Sequence, residues 1–215
     1  MKKILLATVA LAALAAPAAA ADLAARPTYT KAPVVAPVQT WTGFYIGAMG
    51  GYASGQFGGT FTQQGGFVGG TAGYNWQAGA VVYGIEADAA WADINGTGVV
   101  AGFPGTLTSQ IRDWGTVRGR IGYAFGPTML YATGGYAWAD NRLTSSFFNN
   151  QSPSNIHSGW TVGAGVEYMF ARNWSLKGEY LYKSFGAATY NYTGGFVNSG
   201  NINIHSAQFG INYHF

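Results

Sequence analysis

Seven charged side chains in this sequence alternate with small or apolar residues, and their spacing suggests two kinds of chemistry. They are Glu86, Asp88, Arg118, Arg120, Glu167, Lys177 and Glu179. Two carboxylates spaced like Glu86 and Asp88 can serve as a general acid–base pair. Because Arg118 and Arg120 supply the opposite charge at the same spacing, we interpret the seven instead as a structural ion-pair network.

A spacing of two residues places side chains on one face of a β-strand, so these charges predict strands with a polar face. The opposite register carries no charge in eight segments between Phe44 and Phe215 and is rich in Gly, Ala and aromatic residues. A Lys or Arg facing lipid at the bilayer centre costs about 2–4 kcal/mol, which explains the exclusion. We predict an all-β fold, an eight-stranded antiparallel up-and-down transmembrane β-barrel. Acids would then face bases inside it, across strands three and four and across strands six and seven.

Aromatic residues mark the ends of the predicted strands, as in the girdles of outer-membrane barrels. One rim would hold Phe44, Trp76, Phe125, Phe170, Trp174 and Phe215, and the other Tyr52, Trp91, Trp138, Trp160 and Tyr182. Short connections at 77–80, 126–128 and 171–173 alternate with long polar ones at 54–66, 93–113, 140–158 and 183–204. Because outer-membrane barrels have short periplasmic turns and longer outer loops, we expect four long external loops.

The composition supports a membrane barrel. Of 215 residues, 9% are charged and 16% are aromatic, whereas soluble domains carry roughly 25% charged residues. After residue 16 no apolar run approaches the roughly 20 residues that a spanning helix needs. Without Lys2 and Lys3 the formal charge falls from +3 to about +1, which is too small to indicate a nucleic-acid partner.

The chain divides into three parts. Residues 1–21 predict a removable signal peptide, with Lys2 and Lys3 before an apolar stretch and small residues before the cut. Residues 22–40 contain Pro27, Pro33 and Pro37 and predict an extended periplasmic linker; binding to peptidoglycan is the alternative. Residues 41–215 form the predicted barrel.

Six motifs resemble the small alphaproteobacterial outer-membrane proteins of the Brucella and rhizobial type. The motifs are Trp41-Thr42-Gly43-Phe44-Tyr45-Ile46-Gly47, Gly66-Phe67-Val68-Gly69-Gly70, Gly84-Ile85-Glu86-Ala87-Asp88, Thr116-Val117-Arg118-Gly119-Arg120-Ile121-Gly122-Tyr123, Leu130-Tyr131-Ala132-Thr133-Gly134-Gly135 and Lys177-Gly178-Glu179-Tyr180. This resemblance implies a porin-family, OmpA-like eight-stranded barrel in the outer membrane of a Gram-negative bacterium. It also implies a contribution to envelope integrity, variable external loops and haemin-binding relatives.

The last segment resembles the C-terminal strand of bacterial outer-membrane barrels, whose final Phe belongs to a signal for the barrel-assembly machinery. The corresponding residues here are Phe209, Ile211, Tyr213 and Phe215. Other expected partners are outer-membrane lipid and lipopolysaccharide. Host or environmental ligands at the loops are further alternatives.

Four functions are compatible with this architecture, because a fold does not decide function. A structural envelope protein is our first expectation, and a small porin-like channel is the alternative. Ligand capture is the third; the haemin candidates are His157 and His205, near aromatic loop residues. An enzyme using Asp93, Asp140 and His157 is the fourth, but no activated nucleophile accompanies them. We expect no enzymatic activity, no cofactor and no metal site.

Overall fold

The computed structural model describes residues 40–99 and 105–215, and its regular structure is entirely β. The barrel strands are β1 (Gly43–Phe57), β2 (Phe61–Ala78), β3 (Val81–Gly98), β4 (Leu107–Phe125), β5 (Thr128–Ser145), β6 (Ser154–Ala171), β7 (Trp174–Phe185) and β10 (Ile202–His214). A hairpin of β8 (Thr189–Tyr192) and β9 (Gly195–Asn198) lies between β7 and β10. The predicted signal peptide (1–21) and nearly all of the leader (22–40) fall outside the described residues.

The barrel closes in the order β1-β10-β7-β6-β5-β4-β3-β2, and neighbouring strands are antiparallel. The first and last strands pair from Tyr45 with His214 to Phe57 with Ile202. Closure leaves no sheet edge with unpaired backbone groups, which the lipid interior requires. The predicted eight-stranded up-and-down barrel is therefore confirmed. Within residues 40–99 and 105–215, no helix is long and apolar enough to cross a membrane.

The three short turns lie where the sequence predicts them. Ala78 pairs with Val81, Phe125 with Thr128 and Ala171 with Trp174. Gly79 and Gly126 adopt φ angles of +63° and +62°. Glycine enters this left-handed region without the steric cost of a side chain.

The prediction of four long loops is partly wrong, because much of each predicted loop segment is β-strand. The first, 54–66, contains only the turn 58–60 between β1 and β2, and β3 continues from Trp91 to Gly98 before the second loop begins. At about 3.3 Å per residue, that continuation is roughly 20 Å of chain. We use the name outer extension for the parts of all eight barrel strands that lie farther from the short turns than Tyr52, Trp91, Trp138, Trp160 and Tyr182, together with the loops they carry.

Side-chain polarity inverts where a strand enters the outer extension. On β10, Ser206 and Gln208 point into the lumen while Phe209 points outward, but further along Ile204 is buried inside and Asn203 faces out. Around the membrane-spanning wall the surroundings are lipid, so apolar side chains face outward. Around the extension the surroundings are water, so apolar side chains are buried inside. The sequence prediction assumed apolar side chains outward and polar side chains inward along each whole strand. It therefore assigned the inverted portions to loops.

A bulge at Arg112 adjusts β4 at the same level. Ile111 pairs with Asn141 and Asp113 pairs with Asp140, which leaves Arg112 without a partner in the ladder. The extra residue shifts the alternation by one, so Ile111 and Trp114 both point inward. The bulge thereby keeps large apolar residues inside the barrel on both sides of it.

Candidate functional site

The seven charged residues predicted for the interior meet in the middle of the lumen, and each is at most 7% exposed. Arg118 on β4 is the centre of the cluster. One of its amino groups, Nη2, lies 2.6 Å from Glu86 Oε1 and 2.7 Å from Asp88 Oδ2. The other, Nη1, forms an ion pair with Glu179 on β7. Three carboxylates therefore share one guanidinium.

Arg120 forms a second centre nearer the short turns. Its Nη2 lies 2.6 Å from Glu167 Oε2, and its Nη1 donates to Tyr45 Oη at 2.9 Å. Its guanidinium also lies 4.2 Å from the ring centroid of Tyr131. The same Nη1 lies 3.4 Å from Glu86 Oε2, so Glu86 links the two arginine centres.

One ion pair crosses the entire lumen. Lys177 Nζ on β7 donates to Glu86 Oε2 on β3 at 2.9 Å. β7 and β3 occupy opposite positions in the ring of barrel strands. The sequence predicts pairing only between neighbouring strands. The Glu86–Arg118 pair of β3 and β4 confirms this in part, but the pairing expected between β6 and β7 is wrong, because Glu167 pairs with Arg120 on β4. The lumen of an eight-stranded barrel is so narrow that side chains of opposite walls also meet.

Neutral polar side chains engage two further carboxylate oxygens. Ser175 Oγ and Asn212 Nδ2 donate to Glu167 Oε1 at 2.6 and 2.7 Å, and Gln208 Nε2 donates to Glu179 Oε2 at 2.9 Å. A buried charge is tolerable when it is paired and its other lone pairs are satisfied. Sequence reasoning missed these three residues, because an isolated inward Ser, Asn or Gln on a strand carries no distinctive signal.

Two glycines make room for the tyrosines of the network. A Cβ at Gly73 would lie 2.4 Å from Tyr45 Oη, and a Cβ at Gly165 would lie 2.5 Å from Tyr131 Oη. Both glycines are strand residues. Gly73, the last residue of the Gly-rich segment 69–73, therefore leaves space in the barrel wall for the phenol ring of Tyr45.

Apolar layers close the lumen on both sides of the charges. The layer toward the short turns consists of Trp41, Val82, Met129, Tyr131 and Met169. The larger layer fills the outer extension and includes Phe57, Ile94, Leu107, Ile111, Trp114, Leu143, Phe185, Ile202 and Ile204. Along the barrel axis, the lumen is therefore filled by an apolar, a charged and a second apolar layer.

The β8–β9 hairpin completes the outer layer. Tyr190, Tyr192 and Val197 are buried against it. Tyr192 Oη donates to the Leu143 carbonyl at 2.8 Å, and burial raises the pKa of Tyr192 to about 12. The hairpin thus folds onto the mouth of the barrel, in a segment predicted to be an open loop.

The two haemin candidates lie on opposite faces of the sheet. His157 points inward, with Nδ1 2.8 Å from the Gly186 carbonyl and Nε2 2.7 Å from Tyr190 Oη. His205 points outward, and its Nδ1 contacts Tyr180 Oη. Both nitrogens of His157 are thus engaged, and the two rings cannot ligate one iron together.

Burial lowers the pKa of His157, which lies beyond the girdle residue Trp160, although the Gly186 carbonyl acts in the opposite direction. The neutral tautomer that fits carries its proton on Nδ1 and donates it to Gly186. Tyr190 Oη then directs its one hydrogen to Nε2 at 2.7 Å, the nearer of its two acceptors, and the Asn141 carbonyl lies at 3.2 Å. His157 therefore joins the hairpin to β6 in its uncharged form.

The residues considered for catalysis do not converge. Asp93 and Asp140 lie on the outward register of β3 and β5, whereas His157 faces the interior of β6. Asp93 accepts a hydrogen bond from Asn95 Nδ2 at 2.6 Å. In residues 40–99 and 105–215, no group of three His, Cys, Asp or Glu residues could hold a metal ion.

Lys183 is a buried lysine that lies inside the segment predicted to be a loop, 183–204. It is 1% exposed, its Nζ donates to Ser206 Oγ at 2.8 Å, and it lies 3.3 Å from the Trp114 ring centroid. Among the described residues it forms no ion pair. Its amino group is therefore enclosed by Ser206 and the Trp114 ring, where the charged layer meets the outer apolar layer.

The residues of the predicted assembly signal lie on the outer face of β10 and, for Phe215, directly after its end. Phe209 is 75% and Phe215 is 71% exposed, and Ile211 and Tyr213 lie between them in the same register. The Phe215 N–H donates to the Phe44 carbonyl at 3.0 Å. The pattern therefore faces the membrane.

Comparison with known proteins agrees with this architecture. Residues 6–215 match the family described as outer membrane protein beta-barrel domain. The 31 kDa outer-membrane immunogenic protein of Brucella melitensis biotype 1 is 37% identical over 246 residues, covering 100% of both chains. The 22 kDa outer membrane protein of Rhizobium leguminosarum bv. viciae is 34% identical over 186 residues, covering 84% of this chain and 81% of the relative.

Among solved structures, OprG from Pseudomonas aeruginosa superposes with a TM-score of 0.50 at 14% identity, covering 83% of this chain and 100% of OprG. At this identity the likeness shows the fold alone. The relatives confirm the resemblance found in the motifs and place the chain in the outer membrane of a Gram-negative bacterium. The protein belongs to the outer membrane β-barrel domain family.

Proposed function

We propose that this protein is a closed, non-enzymatic scaffold of the outer membrane that carries a rigid outer extension. The observation that carries the proposal is the bond between Lys177 and Glu86 across the lumen. This pair joins opposite walls, and the side chains around Arg118 and Arg120 fill the lumen beside it. The envelope-integrity role then belongs to the barrel as a whole, held rigid by its filled interior.

The alternative, a small porin-like channel, requires the charged layer to separate. Arg118 contacts Glu86, Asp88 and Glu179 at once, so opening would break several buried ion pairs together. Leaving one buried charge without its partner costs about 3–5 kcal/mol. A solute would also have to displace the apolar layers above and below the charges.

Catalysis and haemin capture have less support. Asp93 and Asp140 are separated from His157 by the barrel wall. His157 is occupied by Gly186 and Tyr190. We therefore place the ligand-contacting surface on the outside of the extension.

The outward aromatic side chains of β10 fit the partners that we propose for the wall, which are membrane lipid and the barrel-assembly machinery. Phe209 and Phe215 project toward lipid and are accessible to the barrel-assembly machinery during insertion. Lipopolysaccharide would surround the outer half of the wall. Contacts of residues 22–40 with peptidoglycan stay a prediction from the sequence, because of these residues the structure describes only Thr40.

The absence of cysteine from the chain permits a direct test of closure. We would introduce single cysteines at Thr71 and Thr133, which are 5% and 8% exposed and face the lumen. A membrane-impermeant thiol reagent would be applied to either side of protein refolded in liposomes. A closed lumen predicts no modification from either side.

The matched control is Thr97→Cys on β3, an exposed position on the outer extension. It should react fully with reagent supplied on its own side. Rapid modification of Thr71→Cys or Thr133→Cys in correctly folded protein would overturn the closed-scaffold proposal.

A further inference from the structure

A polar groove lies on the outer wall where the barrel closes. It is lined by Ser54, Gly55, Gln56, Thr62, Tyr182, Asn203 and His205 and has a cavity volume of about 490 Å³. We call it the seam groove. Its lining comes from β7, β10, β1 and β2, which are consecutive around the barrel.

Register fixes the arrangement of the groove. Ser54 lies opposite His205, and Gln56 lies opposite Asn203 on one side and Thr62 on the other. These side chains face outward, because Ala53, Phe57 and Ile204 between them are buried inside. The groove therefore opens sideways from the wall and not into the lumen.

The height of the groove is set by the aromatic girdle. Tyr182 belongs to the girdle and forms one wall, while Ser54 and Gln56 continue β1 beyond Tyr52. Girdle aromatics lie at the boundary between hydrocarbon and headgroups. The seam groove consequently faces the headgroup layer of the outer leaflet.

The groove retains unused hydrogen-bonding capacity. Asn203 Oδ1 accepts from Ser184 at 2.9 Å and His205 Nδ1 contacts Tyr180. Among the described residues, no hydrogen bond engages the Asn203 amide nitrogen, His205 Nε2 or the Gln56 amide. These groups, which include donors and acceptors, are left to solvent or to a ligand.

The chemistry of the lining selects a neutral polar ligand. No Asp, Glu, Lys or Arg lines the groove, so it offers no carboxylate to an ammonium group and, apart from the His205 ring, no basic side chain to a phosphate. Amides and hydroxyls can both donate to and accept from sugar hydroxyls, and the Tyr182 ring offers an apolar face for sugar C–H groups. By contrast, the outward positions at this height on β3 to β5 include Asp93, Asp113, Asp140 and Arg142.

We propose that the seam groove binds the sugar headgroup of an outer-leaflet glycolipid. A glycolipid anchored beside the wall holds its sugar at a high effective concentration at this height, which a free saccharide does not share. The inference rests on the outer-membrane location and is independent of whether the lumen is closed. Loss of the groove would change lipid binding without changing conductance.

The test uses the folded full barrel in detergent micelles, with rough-type lipopolysaccharide as the probe. The variant is Gln56→Leu/Asn203→Leu, which removes two facing amides and keeps their size. The control is Asn95→Leu/Gln110→Leu, because these two residues also face each other across neighbouring strands of the extension. Native mass spectrometry would measure the lipid-bound fraction.

We expect about tenfold weaker binding for the groove variant and unchanged binding for the control, given the modest worth of each hydrogen bond. Equal binding by both double variants and the unmodified protein would overturn the proposal. If the released core oligosaccharide bound as well as whole lipopolysaccharide, the claim that the ligand is a membrane-anchored glycolipid would be wrong.

A second measurement does not depend on the groove variant and therefore tests the proposal even when that variant fails to fold. In the unmodified protein, the His205 ring signals in a nuclear magnetic resonance spectrum should shift when lipopolysaccharide is added, while those of His157 should not. An unchanged His205 signal at saturating lipopolysaccharide would contradict the assignment.

Discussion

The central and outer parts of the lumen are filled in opposite ways. In the membrane-spanning part, Glu86, Arg118 and Lys177 form ion pairs in the interior. In the outer extension, Ile94 and Leu143 are fully buried in an apolar layer. The same strands run through both parts. What surrounds the wall, lipid or water, decides which side chains the interior accepts.

The largest effect should come from breaking the central part. Arg118→Met leaves Glu86, Asp88 and Glu179 short of a cation in a buried site. We expect a loss of about 3–5 kcal/mol in the free energy of unfolding, or failure to fold. Urea titration followed by heat-dependent electrophoretic mobility would measure it.

Arg142→Met is the control for that prediction, because Arg142 is exposed on the outer extension. It should unfold at the urea concentration of the unmodified protein. Adding Asp88→Asn to Arg118→Met should recover part of the loss by removing one uncompensated charge. Unfolding of Arg118→Met together with the control would show that the ion pairs do not hold the lumen.

The next effect concerns the outer part and compares two leucines of β5. Leu143 is buried inside the extension, whereas Leu130 is 53% exposed toward lipid. Leu143→Ala should cost about 2–5 kcal/mol through lost burial and a cavity, and the loss should be confined to the extension and the hairpin. Hydrogen exchange of the backbone amides of β8 and β9 would detect it.

Leu130→Ala should leave exchange in the hairpin unchanged, because lipid fills the space vacated on the outer wall. If both alanine variants loosened the hairpin equally, the contrast between the two parts of the lumen would not hold.

The smallest predicted effect is a pH dependence of the contact between the β8–β9 hairpin and the barrel, which His157 provides. Burial lowers the pKa of His157 in the closed hairpin, whereas a released histidine titrates near 6.5. The released state therefore binds more protons, and closure loses stability as pH falls below about 6.5. The loss is limited to about 1.4 kcal/mol per pH unit for one proton.

A nitroxide on Thr193→Cys would report hairpin mobility between pH 8 and pH 5. Mobility should increase on acidification in the His157-containing protein and stay constant in His157→Gln. An identical pH response in His157→Gln would assign the effect to another group.

The membrane-spanning part was predictable from sequence because one rule governs it. Charges at Glu86, Arg118 and Lys177 occupy one register and lipid-compatible residues the other. The face that each side chain takes, the adjacency of consecutive strands and the number of strands follow from this alternation. The bonds across the lumen were not predictable, since linear spacing carries no information on the distance between opposite walls. The network at Lys177 and Glu86 is of this kind.

The outer extension was not predictable by the same rule. At His205 and Ser206 the alternation continues while its polarity reverses, so Ile202 and Ile204 seemed to belong to a loop. Lys183 was assigned to that loop for the same reason. Allowing the polarity to invert beyond the girdle would have extended the strands, although the short β8–β9 hairpin would still have lacked a clear signal.

The most direct test of a closed lumen is the single-channel conductance of the refolded residues 41–215 in a planar bilayer. We predict no stable conductance steps, both for this protein and for a variant lacking the β8–β9 hairpin, because the charged layer beneath is sufficient to close the barrel. Reproducible steps from correctly folded protein would contradict the account and make Glu86, Arg118 and Lys177 the lining of a pore.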